Sequence, residues 1–389
     1  MSDVIDLSLN SVTSVDGGYG HSAAISSGCL YTWGLNDQYQ CGNGTNVDVA
    51  TPTKISNDED WAEVACGDYH TLARKSDGRV FAWGRNVEDQ CGVFHTQASG
   101  FLERPQMCSG SLGVHASQVA SGALQIAAAS NYSMILQDDQ YVYVVGESNQ
   151  YQIGSIDRST WTSLTAHYGA SVIAAGPNTS ASYVNGYGIN VQGVHGVRAA
   201  YYENTTLNAY YNINRTSPVS VVPRSELHTY VDLAIGNDFL LAVTNTNELH
   251  GFTFGRIDNP NDVYQRINPA SDEYVPFPPA EAITPIGFSG IYFHRTSAGT
   301  VSDTVIYKTN FMEVFDNTKN YLRVAAGGRH AIMTTVEGEV YSFGNNNFYQ
   351  LGRVFDGDDT NILEMTGSAG TGSWSVIGCG NNHSLICKE

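Results

Sequence analysis

Two stretches of the chain are near-copies of one another, about fifty residues apart. Gly18, His21, Trp33, Gly34, Asn36, Gln40, Cys41 and Gly42 recur as Gly67, His70, Trp83, Gly84, Asn86, Gln90, Cys91 and Gly92, offset by 49 at the Gly and His and by 50 afterwards. The one-residue slip falls in the turn Ser76-Asp77-Gly78. A self-similar period of roughly 40 to 50 residues marks a propeller or another repeat array, because each repeat is one supersecondary unit that buries its apolar face only against a neighbour. That restricts the fold before any single side chain is considered.

The template continues along the chain. Gly327, His330, Phe343, Gly344, Gln350, Leu351 and Gly352 form a third clear copy. A fourth, Ser130 to Gly154, keeps Gly146, Gln152 and Gly154 and reads with Ser133 at the histidine position. Val172 to Gly193, Val231 to Phe252 and Ile286 to Tyr307 are fainter, and Val376 to Cys387 repeats only the opening half, with Gly380 and His383. The count is seven repeats and a half. Within the clear copies, Arg79-Val80-Phe81-Ala82-Trp83-Gly84 and Glu339-Val340-Tyr341-Ser342-Phe343-Gly344 alternate with the strand period of two. Asp77-Gly78 and Glu337-Gly338 lie between such runs, where a tight hairpin needs positive φ. No segment keeps a helical period, so the chain reads as all-β.

These motifs, Gly-x-x-His, then aromatic-Gly-x-Asn, then Gln-x-Gly at 18–42, 67–92 and 327–352, resemble the regulator of chromosome condensation repeat family. Where that family usually has Gln-Leu-Gly, Cys41 and Cys91 replace the leucine and pack as small hydrophobes. The resemblance implies a seven-bladed β-propeller, with eight blades as the alternative if the terminal half-repeat forms a blade with residues 3–10. It implies one domain over 1–389, its ring closed by the last strands pairing with Val4-Ile5-Asp6-Leu7-Ser8-Leu9 or joining the first blade. The family's name-giving members bind chromatin and act as exchange factors for a small GTPase, so guanine-nucleotide exchange is one implied function. A shared fold does not by itself transfer it.

Composition weighs against part of that inheritance. With 19 basic and 38 acidic residues the formal net charge is −19, the wrong sign for nucleic acid, whose affinity comes from Lys and Arg neutralising phosphates. Met1-Ser2-Asp3 does not begin a secretory signal, and no run of 18 apolar residues occurs, so a soluble cytosolic product without membrane insertion is expected.

No site chemistry stands out. The seven cysteines have no Cys-x-x-Cys spacing, and Cys41, Cys66, Cys91 and Cys379 recur at repeat-equivalent places as core residues. His21, His70, His330 and His383 occupy one corner of four repeats, spread around a ring instead of converging as metal ligands do. They are expected to bond neighbouring backbone, and Trp33 and Trp83 to pack between blades. Asp356-Gly357-Asp358-Asp359 lacks the downstream acidic ligand of a calcium loop. Nucleophile elbows, P-loops and zinc signatures do not occur. The expectation is a non-enzyme without metal or cofactor.

The repeats are interrupted near 92–118, 194–230 and 256–282. The second interruption carries Tyr201, Tyr202, Tyr210 and Tyr211, and the third carries Tyr264, Tyr274 and Phe277 among prolines. Insertions in repeat proteins map to loops, often on the binding face, and Tyr with Ser and Asn makes adaptable contact surfaces. The sequence therefore points to a scaffold binding a protein partner, within which a structural subunit of a large assembly, such as a virion or its host-attachment apparatus, is one version. Exchange activity and glycan binding are the alternatives.

Overall fold

The computed structural model describes residues 9–93, 100–108, 122–148, 152–154, 158–164, 167–177, 179–184, 188–193, 199–203, 206–210, 219–220, 229–237, 239–253, 313–316, 319–352, 359–365 and 374–388. Its strands form antiparallel sheets in which sequential strands are neighbours. The first sheet is β1 (Val12–Gly17), β2 (His21–Ser26), β3 (Cys29–Gly34) and β4 (Val49–Lys54); the second is β5 (Trp61–Cys66), β6 (His70–Lys75), β7 (Val80–Arg85) and β8 (Phe101–Met107). The third is β9 (Ala123–Ala129), β10 (Tyr132–Gln137), β11 (Val142–Gly146) and β12 (Arg158–Leu164). In the fourth, β13 (Ala170–Ala175), β14 (Thr179–Val184) and β15 (Gly188–Gly193) are followed by a separate hairpin, β16 (Ala199–Glu203) and β17 (Thr206–Tyr210), before β18 (Val219–Ser220) completes the sheet. The fifth is β19 (Tyr230–Ile235), β20 (Phe239–Thr244), β21 (Leu249–Thr253) and β22 (Glu313–Asp316), and the sixth is β23 (Tyr321–Ala326), β24 (His330–Thr335), β25 (Val340–Gly344) and β26 (Asp359–Glu364). A two-stranded sheet, β27 (Trp374–Cys379) with β28 (Ser384–Lys388), ends the described chain.

This is an all-β propeller. The first strands pack in a cycle, β1 on β5, β5 on β9, β9 on β13, then β19, β23 and β27, and β27 returns against β1. Second strands such as β2, β10, β20 and β24 are buried at every residue. They do not alternate because both faces of each sheet meet a neighbouring sheet. Apolar clusters cross these joints: Ile25 and Leu30 pack with Trp61, Leu72 and Trp83, and Phe239 and Leu241 with Tyr321 and Phe343. At the seam between the ends of the chain, Val12, Val15 and Ala24 share a cluster with Trp33, Val376 and Leu385. At about 25 cal/mol per Å² of apolar surface, such joints are the main source of stability in an array of this kind.

A second set of links runs around the axis. The third residue of one first strand accepts a hydrogen bond from the fourth residue's N–H in the next: Ser14 Oγ from Val64, Glu63 Oε1 from Ile126, Gln125 Oε1 from Ile173 and Asp232 Oδ2 from Val324, at 3.1, 3.4, 2.9 and 3.0 Å. Asp16 Oδ2 adds a bond from Cys66 N–H at 2.8 Å. Four residue types do one job, which is to satisfy backbone donors on the free edge of the innermost strand.

Both glycine hairpins form where the sequence places them, Gly78 at φ +83° and Gly338 at φ +81°. Three expectations are corrected. In the worn copy it is Tyr132, not Ser133, that stands at the histidine position, since β10 begins at Tyr132 as β2 begins at His21. Its hydroxyl replaces the imidazole, donating to Gly176 and Thr179 carbonyls at 2.9 and 3.0 Å. The interruption near 194–230 contains a regular hairpin and the last strand of a sheet, and the one near 92–118 contains β8. Finally, the chain on either side of the faint copy Ile286 to Tyr307 is β21 and β22 of one sheet, so that copy, itself outside the described residues, falls within a sheet's third-to-fourth joint. Among the described residues no helix is long and apolar enough to cross a membrane.

Candidate functional site

The Gly-x-x-His corners form a latch between repeats. His21 Nε2 meets Thr71 Oγ1 at 2.9 Å, His70 Nε2 meets Ser133 Oγ at 2.9 Å, His330 Nε2 meets Ser384 Oγ at 2.9 Å, and His383 Nε2 meets Ser22 Oγ at 3.0 Å. The partner is the hydroxyl that follows the corner in the next repeat, not the neighbouring backbone expected from sequence. In three latches that hydroxyl donates its proton to a glutamine carbonyl, Thr71 to Gln40, Ser133 to Gln90 and Ser384 to Gln350, at 2.8, 2.7 and 2.8 Å. The imidazole must therefore supply the hydrogen, which fixes the Nε2–H tautomer in His21, His70 and His330. Their Nδ1 atoms are buried without a partner. A second proton would be stranded there, and burial lowers these three pKa values to about 3. The glycine is required because a Cβ at Gly67 would overlap the His70 ring, as one at Gly18, Gly327 or Gly380 would overlap its own corner histidine.

The remaining motif residues build the loop after each third strand. Asn36, Asn86 and Asn346 Oδ1 accept the N–H of Cys41, Cys91 and Leu351 at 2.9, 2.8 and 2.9 Å. Trp83 is fully buried, donates from Nε1 to Gln40 O at 2.8 Å and lies over Gly42 of the preceding repeat. Trp33 is half-buried at the seam, and Phe343 lies in the cluster shared with Phe239, with Gly34, Gly84 and Gly344 at positive φ where their strands end or, for Gly84, one residue before. Burial raises the thiol of Cys41 to about 12 and those of Cys66 and Cys91 well above the usual range. Such thiols are not nucleophiles. Among the described residues no group of three or more His, Cys, Asp or Glu side chains could hold a metal.

The corners and the loops after the third strands emerge on one face. There the corners join through backbone bonds from Tyr19 N to Asp68 O, Asp68 N to Ser130 O, Asn237 N to Gly328 O, Gly328 N to Asn381 O and Asn381 N to Gly18 O, at 3.0 to 3.3 Å. Tyr19, Phe348 and Tyr349 stand exposed on this face, and Tyr19 packs on Tyr69 at 5.5 Å between ring centroids. The opposite face carries the hairpin turns, where Lys75 Nζ sits between Asp58 and Asp60 at 2.8 and 2.7 Å. Along the axis, burial raises Asp16 to about 7 and Asp232 to about 6 despite the N–H groups that bond them.

Of the aromatic candidates for partner contact, Tyr201 and Tyr202 lie in β16 and Tyr210 in β17, with Tyr201 in register with Asn208, Tyr202 with Leu207 and Tyr210 with Ala199. Tyr211, Tyr264, Tyr274 and Phe277 lie outside the described residues, as do Asp356 to Asp358. The axial acceptors Ser14, Glu63, Gln125 and Asp232 were not singled out from sequence. The available signal was weak, an acceptor at the third position of four first strands, with Val172, Arg323 and Val376 at that position in β13, β23 and β27.

Profiles of the regulator of chromosome condensation (RCC1) repeat match residues 27–74, 77–136 and 337–387, and a second profile of the same repeat matches 61–90 and 322–350. Yeast RCC1 (Prp20), solved bound to Kap60, superposes with a TM-score of 0.67 at 17% identity, over 96% of this chain and 79% of that one. Over 27–136 and 322–387 the chain carries regulator of chromosome condensation repeats. Among curated proteins with this repeat, the mouse regulator of chromosome condensation is 30% identical over 151 residues, 38% of this chain and 34% of its own length. The ultraviolet-B receptor UVR8 of Arabidopsis thaliana is 38% identical over 90 residues, 22% of this chain and 20% of its own. The chain thus matches about a third or less of these curated relatives. The profile-matched repeats are those with complete latches or their Tyr132 variant, and the stretch between 137 and 321 lies outside the matches.

Proposed function

We propose that the protein is a non-enzymatic seven-bladed scaffold that holds a protein partner on the face bearing its insertions. The observation that carries this reading is positional. The two longest interruptions, 194–218 and 254–312, occupy the same joint, between third and fourth strands, in two successive sheets. They therefore leave the propeller side by side on the corner face. Insertions at unrelated joints would have no common address. Tyr201, Tyr202, Tyr210, Tyr211, Tyr264, Tyr274 and Phe277 are the contact residues on this reading. Seven blades are supported by six four-stranded sheets, the β27–β28 pair and the return of β27 to β1. The N-terminal run Val4 to Ser8, expected from sequence to pair with the last strands, lies outside the described residues. The virion version of the scaffold reading rests on composition alone.

Guanine-nucleotide exchange on a small GTPase is the second reading, favoured by the repeat itself. The test replaces 199–210 with a Gly-Ser linker and compares both chains in affinity capture from the native source and in release of labelled GDP from purified small GTPases. Loss of a stoichiometric partner on replacement is the expected result. Accelerated GDP release at catalytic concentration by both chains would overturn the scaffold reading.

A further inference from the structure

Three successive repeats border a half-open pocket of about 250 Å³ on the corner face, lined by Asn237, Gly328, Arg329, Asn345, Asn347, Phe348, Asn381 and Asn382. The position-equivalent corner between the second and third sheets is filled from within. There Arg85 forks onto Glu88, with Nη2 to Oε1 at 2.7 Å, and reaches Asn131 Oδ1 at 2.9 Å. Counting from the positive-φ glycine of each third strand, Gly84 or Gly344, Arg85 corresponds to Asn345 and Glu88 to Phe348, and counting from the next corner Asn131 corresponds to Asn382. Where one joint carries an internal ion pair, the other presents amides, an outward phenyl ring 65% exposed and Arg329, which has no carboxylate partner among the described residues.

We propose that this cavity binds a pyranose that carries a carboxylate. The lining dictates the class. The amides of Asn237, Asn347, Asn381 and Asn382 both donate and accept, as a ring of hydroxyls requires, while Asn345 Oδ1 is already held by Gln350 Nε2 at 2.9 Å. The guanidinium fork matches one carboxylate, and matches it bidentately. The phenyl ring offers a flat apolar surface for the C–H face of a sugar. An anion is otherwise disfavoured by a chain of net charge −19, so a ligand with one charge and many neutral hydroxyls suits a site with one cation among amides. The space is compact and bordered by three repeats, unlike the long groove an extended peptide needs. None of the seven aromatic residues assigned above to protein contact is among its lining residues.

The probes are D-glucuronic acid, N-acetylneuraminic acid, methyl glucoside and a capped Ala-Asp dipeptide, each titrated by NMR against the full chain and against Arg329→Gln, Phe348→Ala and Lys319→Gln. Arg329 and Phe348 are exposed, so the variants keep the wild-type melting temperature. The expected result is saturable one-to-one binding of an acidic sugar, at least about tenfold weaker in Phe348→Ala, with the preference over methyl glucoside lost in Arg329→Gln and binding unchanged in Lys319→Gln. Absence of saturation by both acidic sugars up to about 10 mM, equal binding by all variants, or tighter binding of the dipeptide would each overturn the proposal.

Discussion

At a Gly-x-x-His corner the imidazole is held by its own glycine, the next repeat's hydroxyl and a carbonyl beyond it, and every atom but Nδ1 is committed. Replacing Thr71 by valine keeps the shape but leaves His21 Nε2–H buried and unpaired, while the Gln40 carbonyl keeps only the Trp83 indole N–H. The expected loss is about 2–4 kcal/mol in denaturant unfolding, with Thr71→Ser near wild type. Protonation acts on the same corners. Burial holds His21, His70 and His330 at about 3, below the ordinary imidazole value of 6.5. A base whose folded value is depressed stabilises the fold above its unfolded value and loses that contribution as pH falls. Each corner should thus cost about 2 kcal/mol between pH 6.5 and 5. Asp16 runs the other way. Its folded value of about 7 means that the native state keeps its proton, a contribution complete below about 3.8 and lost as pH rises through 7. Melting curves of Asp16→Asn should therefore gain relative to wild type at pH 8 and not at pH 4, while a gain at pH 4 alone would contradict the assignment.

An element is specified here by a few residues with no freedom and many with a great deal. In the turn Gly67-Asp68-Tyr69 the middle residue is half-buried with its carboxylate bonded to Ser130, and Gly67→Ala drives a methyl into the His70 ring. The glycine substitution should cost about 3 kcal/mol, whereas Asp68→Ala, which gives up the bond to Ser130, should cost about 1 kcal/mol, both read from urea midpoints. That asymmetry explains what was legible. Gly, His, Trp and Asn at fixed spacing were visible because each is the one residue type that closes its contact. Tyr132 was missed because a phenol reaches the same neighbouring turn with a different group. The axial acceptors Ser14, Glu63, Gln125 and Asp232 were invisible as a motif because any acceptor of suitable reach will do. The β16–β17 hairpin left no strand signature because Tyr201-Tyr202-Glu203 does not alternate. The polar cavity could not be read linearly, since Asn237, Arg329, Asn345 and Asn382 come from three repeats.

At the scale of the whole molecule, the repeats supply a propeller frame and the interruptions supply what is particular to this chain. The seam joins β27 to β1 through His383 and Ser22, Asn381 and Gly18, and the cluster around Trp33 and Val376. Removing residues 374–389 should expose that cluster and convert one cooperative melt into a broadened transition at lower temperature, measured by calorimetry. The frame's corner face is where the two large insertions emerge, and the claim that they carry the protein contacts is the centre of this account. Hydrogen exchange measured with and without the captured partner tests it most directly. Protection concentrated in 194–218 and 254–312 is predicted, and protection confined to the hairpin turns of the opposite face, at 76–78 and 337–338, would contradict it.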